Sequence, residues 1–143
     1  MTSDYDREVL DHFGEAVRRH FADVITQYNF VATEAQIHRP DVWLKFQNKT
    51  TQLTIDYEWG VGCWVTVGLL TRWLRRLTAE YSLEDVVRAA DPTAVFPDVS
   101  CAEYERKRVD ESIKSLADVV RTHGSAVLSG DFSLLRDTRA AHQ

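Results

Sequence analysis

Val42-Trp43-Leu44-Lys45-Phe46-Gln47 runs into Asn48-Lys49, and Leu53-Thr54-Ile55-Asp56-Tyr57-Glu58-Trp59 lies on the far side. Val42, Leu44 and Phe46 alternate with Trp43, Lys45 and Gln47. Leu53, Ile55, Tyr57 and Trp59 alternate with Thr54, Asp56 and Glu58. Successive residues of a strand point to opposite sides, so this pattern predicts a hairpin with one dry face and one polar face. Gly60 and Gly62 then turn the chain. Cys63, Val65, Val67 and Leu69 alternate with Trp64, Thr66, Gly68 and Leu70 in a further strand. Phe30 to His38, ended by Pro40, is β-leaning and reads as a preceding strand. The centre of the chain is therefore an antiparallel meander of three to four strands.

Outward from the meander the period changes to that of helices. Ser3 with Asp6 forms a capping box, and Val9, Phe13, Val17, Phe21, Val24 and Tyr28 recur at three- and four-residue steps. That predicts one amphipathic helix whose apolar stripe lies on the sheet. After the meander comes a basic tract, Arg72 to Arg76, enclosing Trp73 and Leu74. Ser82 with Asp85 then caps a short helix to about Ala90. Pro92 and Pro97 bracket a loop. Ser100 with Glu103 resembles a third capping box, which would start the longest helix, carrying Val109, Ile113, Leu116 and Val120. That helix either ends near His123-Gly124 or bends and continues to Gly130, and Asp131 or Ser133 offers a cap for a last short helix. The predicted fold class is α+β: an N-terminal helix, the meander, then C-terminal helices packed on one sheet face. No repeat, linker or composition break divides residues 1–143, so a single domain is expected.

Composition narrows the function classes. A chain of 143 residues can bury roughly 70% of its unfolded surface. Its 44% hydrophobic and 27% charged residues are those of a globular protein. The formal net charge of -5 opposes binding to a phosphate backbone, so nucleic acid is not an expected partner. The opening stretch MTSDYDREVLDHFGE carries acids where a secretory signal needs a basic start and an apolar run. The longest uncharged run, Trp59 to Thr71, is far shorter than the ~20 residues of a membrane helix. Two cysteines, Cys63 and Cys101, with no CxxC pair, fit a reducing cytoplasm with both thiols free.

Cys101 falls in the first turn of the expected long helix, where the dipole lowers a thiol's pKa. Yet His123 lies at the other end of that helix, about 33 Å away at ~1.5 Å per residue, and His38 sits on a loop. Cys63 shares parity with Val65 and reads as a core thiol. Glu8, His12 and Glu15, and separately His20 and Asp23, share helix faces at ligand-like steps but read as solvated charges, and no metal or other cofactor is expected. Asp56 and Glu58 point from the same side of one strand about 7 Å apart, which any polar sheet face offers. Gly60-Val61-Gly62 lacks the pattern of a phosphate cradle and reads as a turn. No catalytic residue is assigned.

The remaining feature is aromatic. Trp43 and Trp64 fall on the polar sheet face with Asp56 and Glu58, giving large rings among acids. This is the composition of a protein-binding surface, unless the Pro97 loop or the last helix covers the rings as a second core layer.

Tyr28-Asn29-Phe30, Leu53-Thr54-Ile55-Asp56-Tyr57-Glu58, Tyr81-Ser82-Leu83 and Leu128-Ser129-Gly130-Asp131-Phe132 together resemble segments of small uncharacterised bacterial proteins of about this length, including the immunity proteins of polymorphic toxin systems. The resemblance implies a cytoplasmic protein that binds and blocks one cognate toxin, and it carries over no functional residues. Three readings follow. The leading one is a non-catalytic protein-binding module with Trp43, Trp64, Asp56 and Glu58 as contacts. The alternative is a small enzyme or small-molecule-binding domain with a cleft between sheet and helices. The third is a subunit of a homo-oligomer.

Overall fold

A computed structural model of the chain describes residues 3–71 and 76–135. The Ser3 Oγ accepts the Asp6 amide at 3.0 Å and starts α1 (Asp4–His20). Acids in its first turn and Arg18, Arg19 and His20 in its last complement the helix dipole. The stripe Val9, Phe13, Ala16 and Val17 is buried. The helix does not run unbroken to Tyr28 as its periodicity suggests. Phe21, turned fully inward, leaves helical geometry between α1 and α2 (Ala22–Gln27). α2 then ends on Asn29, whose φ of 58° lets the Phe30 amide reach the Ile25 carbonyl and the Asn29 amide reach Thr26. This Schellman turn aims the chain into the sheet.

Five strands follow: β1 (Val31–His38), β2 (Asp41–Gln47), β3 (Thr51–Glu58), β4 (Gly62–Leu70) and β5 (Leu77–Ser82). They pair antiparallel in the order β1-β2-β3-β4-β5, a meander one strand longer than the three to four expected. β5 escapes sequence reading because only Tyr81 is buried in it, and because Ala79 and Glu80 are weak strand formers. Of the basic tract, Arg72 to Arg75 lie outside the described residues. Strand β1 is an edge, mostly exposed, with a register shift between Ala32 and Glu34.

Val42, Leu44, Phe46, Leu53, Ile55, Tyr57, Cys63, Val65, Val67 and Tyr81 make the inner face. The helices bury their stripes on it. Phe13 and Val17 of α1 join Leu83 and Val87 of α3 (Leu83–Ala90), and Val109, Ile113, Leu116 and Val120 of α4 (Arg106–His123). Each such side chain removed from water stabilises the fold by about 1.5–3 kcal/mol before conformational entropy is counted. As the Ser82–Asp85 spacing predicts, the Ser82 Oγ caps α3 at 3.1 Å from the Asp85 amide. After α4 the chain bends at Gly124 and continues into α5 (Ser125–Leu128). There the Val127 carbonyl accepts from the buried Thr51 Oγ1 at 2.7 Å, tying α5 to the start of β3.

The beginning of α4 differs from expectation. Ser100 is not its cap: its amide and Oγ both donate to Asp98 Oδ1, at 3.0 and 2.6 Å, so the hydroxyl is committed to a turn. The helix starts at Arg106 with Glu105 as cap residue, and Ser100 instead bridges to Gly62. Cys101 therefore lies five residues before the helix, outside its dipole. The close approach at that bridge requires glycine. Gly62 has φ of 135°, and a Cβ there would fall 2.3 Å from the Val99 carbonyl oxygen. Gly62→Ala is expected to destabilise the protein by about 3 kcal/mol, read as a lower urea midpoint with unchanged slope.

Candidate functional site

Register places the other sheet face row by row. Gln36, Trp43, Asp56 and Trp64 form one row across β1 to β4, and His38, Asp41, Glu58 and Gly62 form the next. On the far side of the tryptophan row lie Glu34, Lys45, Thr54, Thr66 and Ser82. The structure thus brings the four predicted residues, Trp43, Trp64, Asp56 and Glu58, onto one surface. The Pro97 loop and the last helix leave the Trp64 ring open to solvent: Trp64 is 45% exposed, and neither tryptophan belongs to the core or packs against it. Leu77 extends the apolar part, lying over Gly68, where a Cβ would meet its Cδ1 at 2.1 Å.

Charge on this face is one-sided. By the strand register, Glu34, Asp41, Asp56, Glu58 and Glu80 stand there against Lys45, whose Nζ lies 3.4 Å from Glu34. Asp56 carries the strain. Its Oδ1 and the Trp43 Nε1 are both shut off from solvent, and neither has a hydrogen-bond partner among the described residues. Burial first, then the adjacent Asp41 carboxyl, and more weakly Glu58, push the Asp56 carboxyl up to about 7; the Trp64 side chain opposes them. Asp41 is the residue that sequence reasoning missed. It has the same strand parity as Trp43, so carrying the alternation back one step past Val42 would have found it.

This shift has a sign that can be tested. The folded protein holds a proton on Asp56 that the unfolded chain releases near pH 4, so stability falls as pH rises from about 4 to about 7. Asp56→Asn removes the buried charge. At pH 8 it is expected to gain about 1–2 kcal/mol in urea unfolding, after discount for solvent screening at a part-exposed group, and little at pH 4.

Other predicted groups are placed elsewhere. His12 is not simply solvated: its Nδ1 lies 2.6 Å from the Tyr104 hydroxyl, and burial, with Arg106 nearby, lowers its pKa. Tyr104 packs edge-on against Tyr57, whose hydroxyl donates to the Cys101 carbonyl at 3.0 Å. Trp59 ends the strand pattern here, with the Arg39 guanidinium 4.1 Å over its ring. Glu8 faces Arg106, while His20 lies 3.2 Å from Asp110 and Asp23 pairs with Arg121. The ligand-like helix spacings therefore resolve into separate pairs. Among the described residues no group of three or more His, Cys, Asp or Glu converges as a metal site. Cys63 is buried, its thiol pushed up to about 12 by burial and by Cys101, and the Cys101 Sγ donates to the Glu103 carbonyl.

Between sheet and helices the space is filled by Phe13, Leu44, Ile55, Val67 and Leu116, each 2% exposed or less. A hollow of about 630 Å³ lies instead at one end of the sheet, between Tyr28-Asn29 and the Asn48-Lys49-Thr50 turn. No helix among the described residues is long and apolar enough to cross a membrane. Comparison with protein-family models, with curated proteins and with solved structures finds no match for this chain.

Proposed function

We propose that the chain is a non-catalytic protein-binding module, an immunity-like inhibitor that engages one cognate toxin in the cytoplasm through the outer face of its sheet. One observation carries the reading: a sheet face with tryptophan open to solvent and carboxylates in excess, on a protein whose other sheet face is fully occupied by helices. Aromatic side chains supply most of the affinity at protein interfaces, and an acidic rim speeds encounter with a basic partner. The resemblance to immunity proteins supports the same reading, and a basic toxin such as a nuclease suits the charge.

Affinity capture of the tagged chain from its own cells, at low and moderate salt, tests it. The expected result is one basic protein in stoichiometric amount, held less tightly as salt rises. A chain that purifies alone under both conditions would contradict the proposal. A second copy is disfavoured as occupant because two acidic faces repel, so light scattering at micromolar concentration is expected to give a monomer.

A further inference from the structure

We infer that the free edge of β1 takes an extended segment of the partner protein as an added strand, a segment whose side chains alternate between basic and bulky apolar. This deepens the proposed function, whose outer sheet face it continues, and rests on that reading.

Strand β1 stands beyond the helical layer. Its register with β2 turns Ala32, Ala35 and Ile37 toward the helix side, and Glu34, Gln36 and His38 toward the outer face. Of the three on the helix side Ile37 packs against the core, whereas Ala32 and Ala35 are exposed. The opposite edge is finished differently: Tyr81 of β5 is buried and Ala79 packs against the core. The backbone edge of β1 away from β2 is open as well. Among the described residues no turn, loop or cap bond reaches the backbone of 31–38, and the Thr33 Oγ1 bonds back to the Lys45 carbonyl of β2.

Such an edge is a row of N–H and C=O groups ready to pair with another chain, and folded proteins ordinarily block it with lysine, proline or an inward-pointing charge. Residues 31–38 contain no lysine, arginine or proline, and their one acid, Glu34, is paired with Lys45 at 3.4 Å. The register shift between Ala32 and Glu34 interrupts the ladder, so the regular stretch on offer runs from Glu34 to His38.

The surroundings select the occupant. On the helix side an added strand meets the exposed methyls of Ala32 and Ala35, which leave room for bulky apolar side chains. On the outer side it extends rows that already hold Asp41, Asp56 and Glu58, which favours lysine or arginine there. A second copy of this chain fits poorly. The eight residues of β1, about 27 Å long at ~3.4 Å per residue and about 4.8 Å wide, offer on the order of 300 Å² over two faces, against about 800 Å² a side for a stable interface. The remainder has to come from the outer face, where two acidic copies repel. A basic partner can use edge and face together, because the row Gln36–Trp43–Asp56–Trp64 runs straight on from β1.

The test titrates the full ¹⁵N-labelled chain with acetyl-Lys-Val-Lys-Ile-Lys-Val-amide at pH 7 and low salt, up to millimolar peptide. The backbone amide signals of residues 34–38 are expected to shift together and saturably and to gain protection from hydrogen exchange, with those of β5 unmoved. The same peptide N-methylated at every residue keeps the charge and the side chains but has no backbone N–H to donate, and gives no response. Ala35→Lys sets a charge on the exposed helix-side ledge and weakens the peptide about tenfold. Unchanged signals from β3 and α4 verify that this variant is folded. No saturable shift at 34–38, an equal response to the methylated peptide, or an equal response of the Ala35→Lys variant would overturn strand addition. So would movement of the same signals with protein concentration alone, which assigns the edge to a second copy. If the peptide pairs with β1 but Trp64→Ala leaves a captured partner's affinity unchanged, strand addition stands and the reading of the outer face falls. If Trp64→Ala weakens the partner while Ala35→Lys does not, strand addition falls and the functional reading stands.

Discussion

Replacing Trp43 and Trp64 together by alanine is expected to weaken binding of the cognate partner by at least about a hundredfold, while the thermal midpoint drops by only a few degrees. Interface tryptophans are the residues whose truncation most often costs ~2 kcal/mol or more each, and couplings between neighbours make the sum inexact. Stability depends little on them because neither ring joins the buried cluster. What they contribute to folding is cross-strand packing on the solvent side of β2, β3 and β4, worth roughly 0.2–1 kcal/mol per pair. Titration calorimetry beside a thermal melt separates the two effects. A large loss of both would mean that the rings are a second core layer after all.

The largest stability effect outside the hydrophobic core is expected at Asn48, in the β2–β3 turn. Its Nδ2 donates to the carbonyls of Tyr28 and Leu128, at 2.9 and 3.1 Å. Its Oδ1 accepts the amides of Thr50 and Thr51, at 3.0 and 2.8 Å. One side chain thus closes the turn and joins it to the ends of α2 and α5. Asn48→Ala leaves two carbonyls and two amides to find other partners. At about 1 kcal/mol for each of these four part-buried bonds the loss is roughly 4 kcal/mol, or on the order of 10 °C in thermal midpoint. Asn48→Asp keeps the acceptor and loses the donor, setting a carboxylate against two carbonyls, so it should be no better than alanine. A loss below about 1 kcal/mol in alanine would show that water replaces these bonds.

The hairpin and its outer tryptophans were legible because alternation is a strict geometric consequence of the strand, and Leu44, Phe46, Leu53 and Ile55 leave one parity plainly apolar. The same rule placed Trp43, Trp64, Asp56 and Glu58 together on one face. Reading stopped where local pattern and tertiary contact part. Ser100 and Glu103 have capping-box spacing, but Asp98 takes the Ser100 hydroxyl and Gly62 takes its backbone, so α4 starts later. Strand β5 alternates too, yet as an edge with Tyr81 as its buried side chain it offers little hydrophobic contrast. Alternation past Val42 puts Asp41 on the face of Trp43, but nothing local marks it as a neighbour of Asp56. Its importance arises only when the register sets it beside Asp56, a long-range fact that no window of sequence contains.

The central claim, that the outer sheet face is where this protein meets its partner, is tested most directly by site-specific photo-crosslinking in the cells of origin. A photoreactive amino acid at Thr66, beside Trp64 on the outer face, is predicted to trap a single basic protein. The same group at Lys114, exposed on α4 across the fold, is predicted to trap none. A defined product from position 114 with nothing from position 66 would contradict the account.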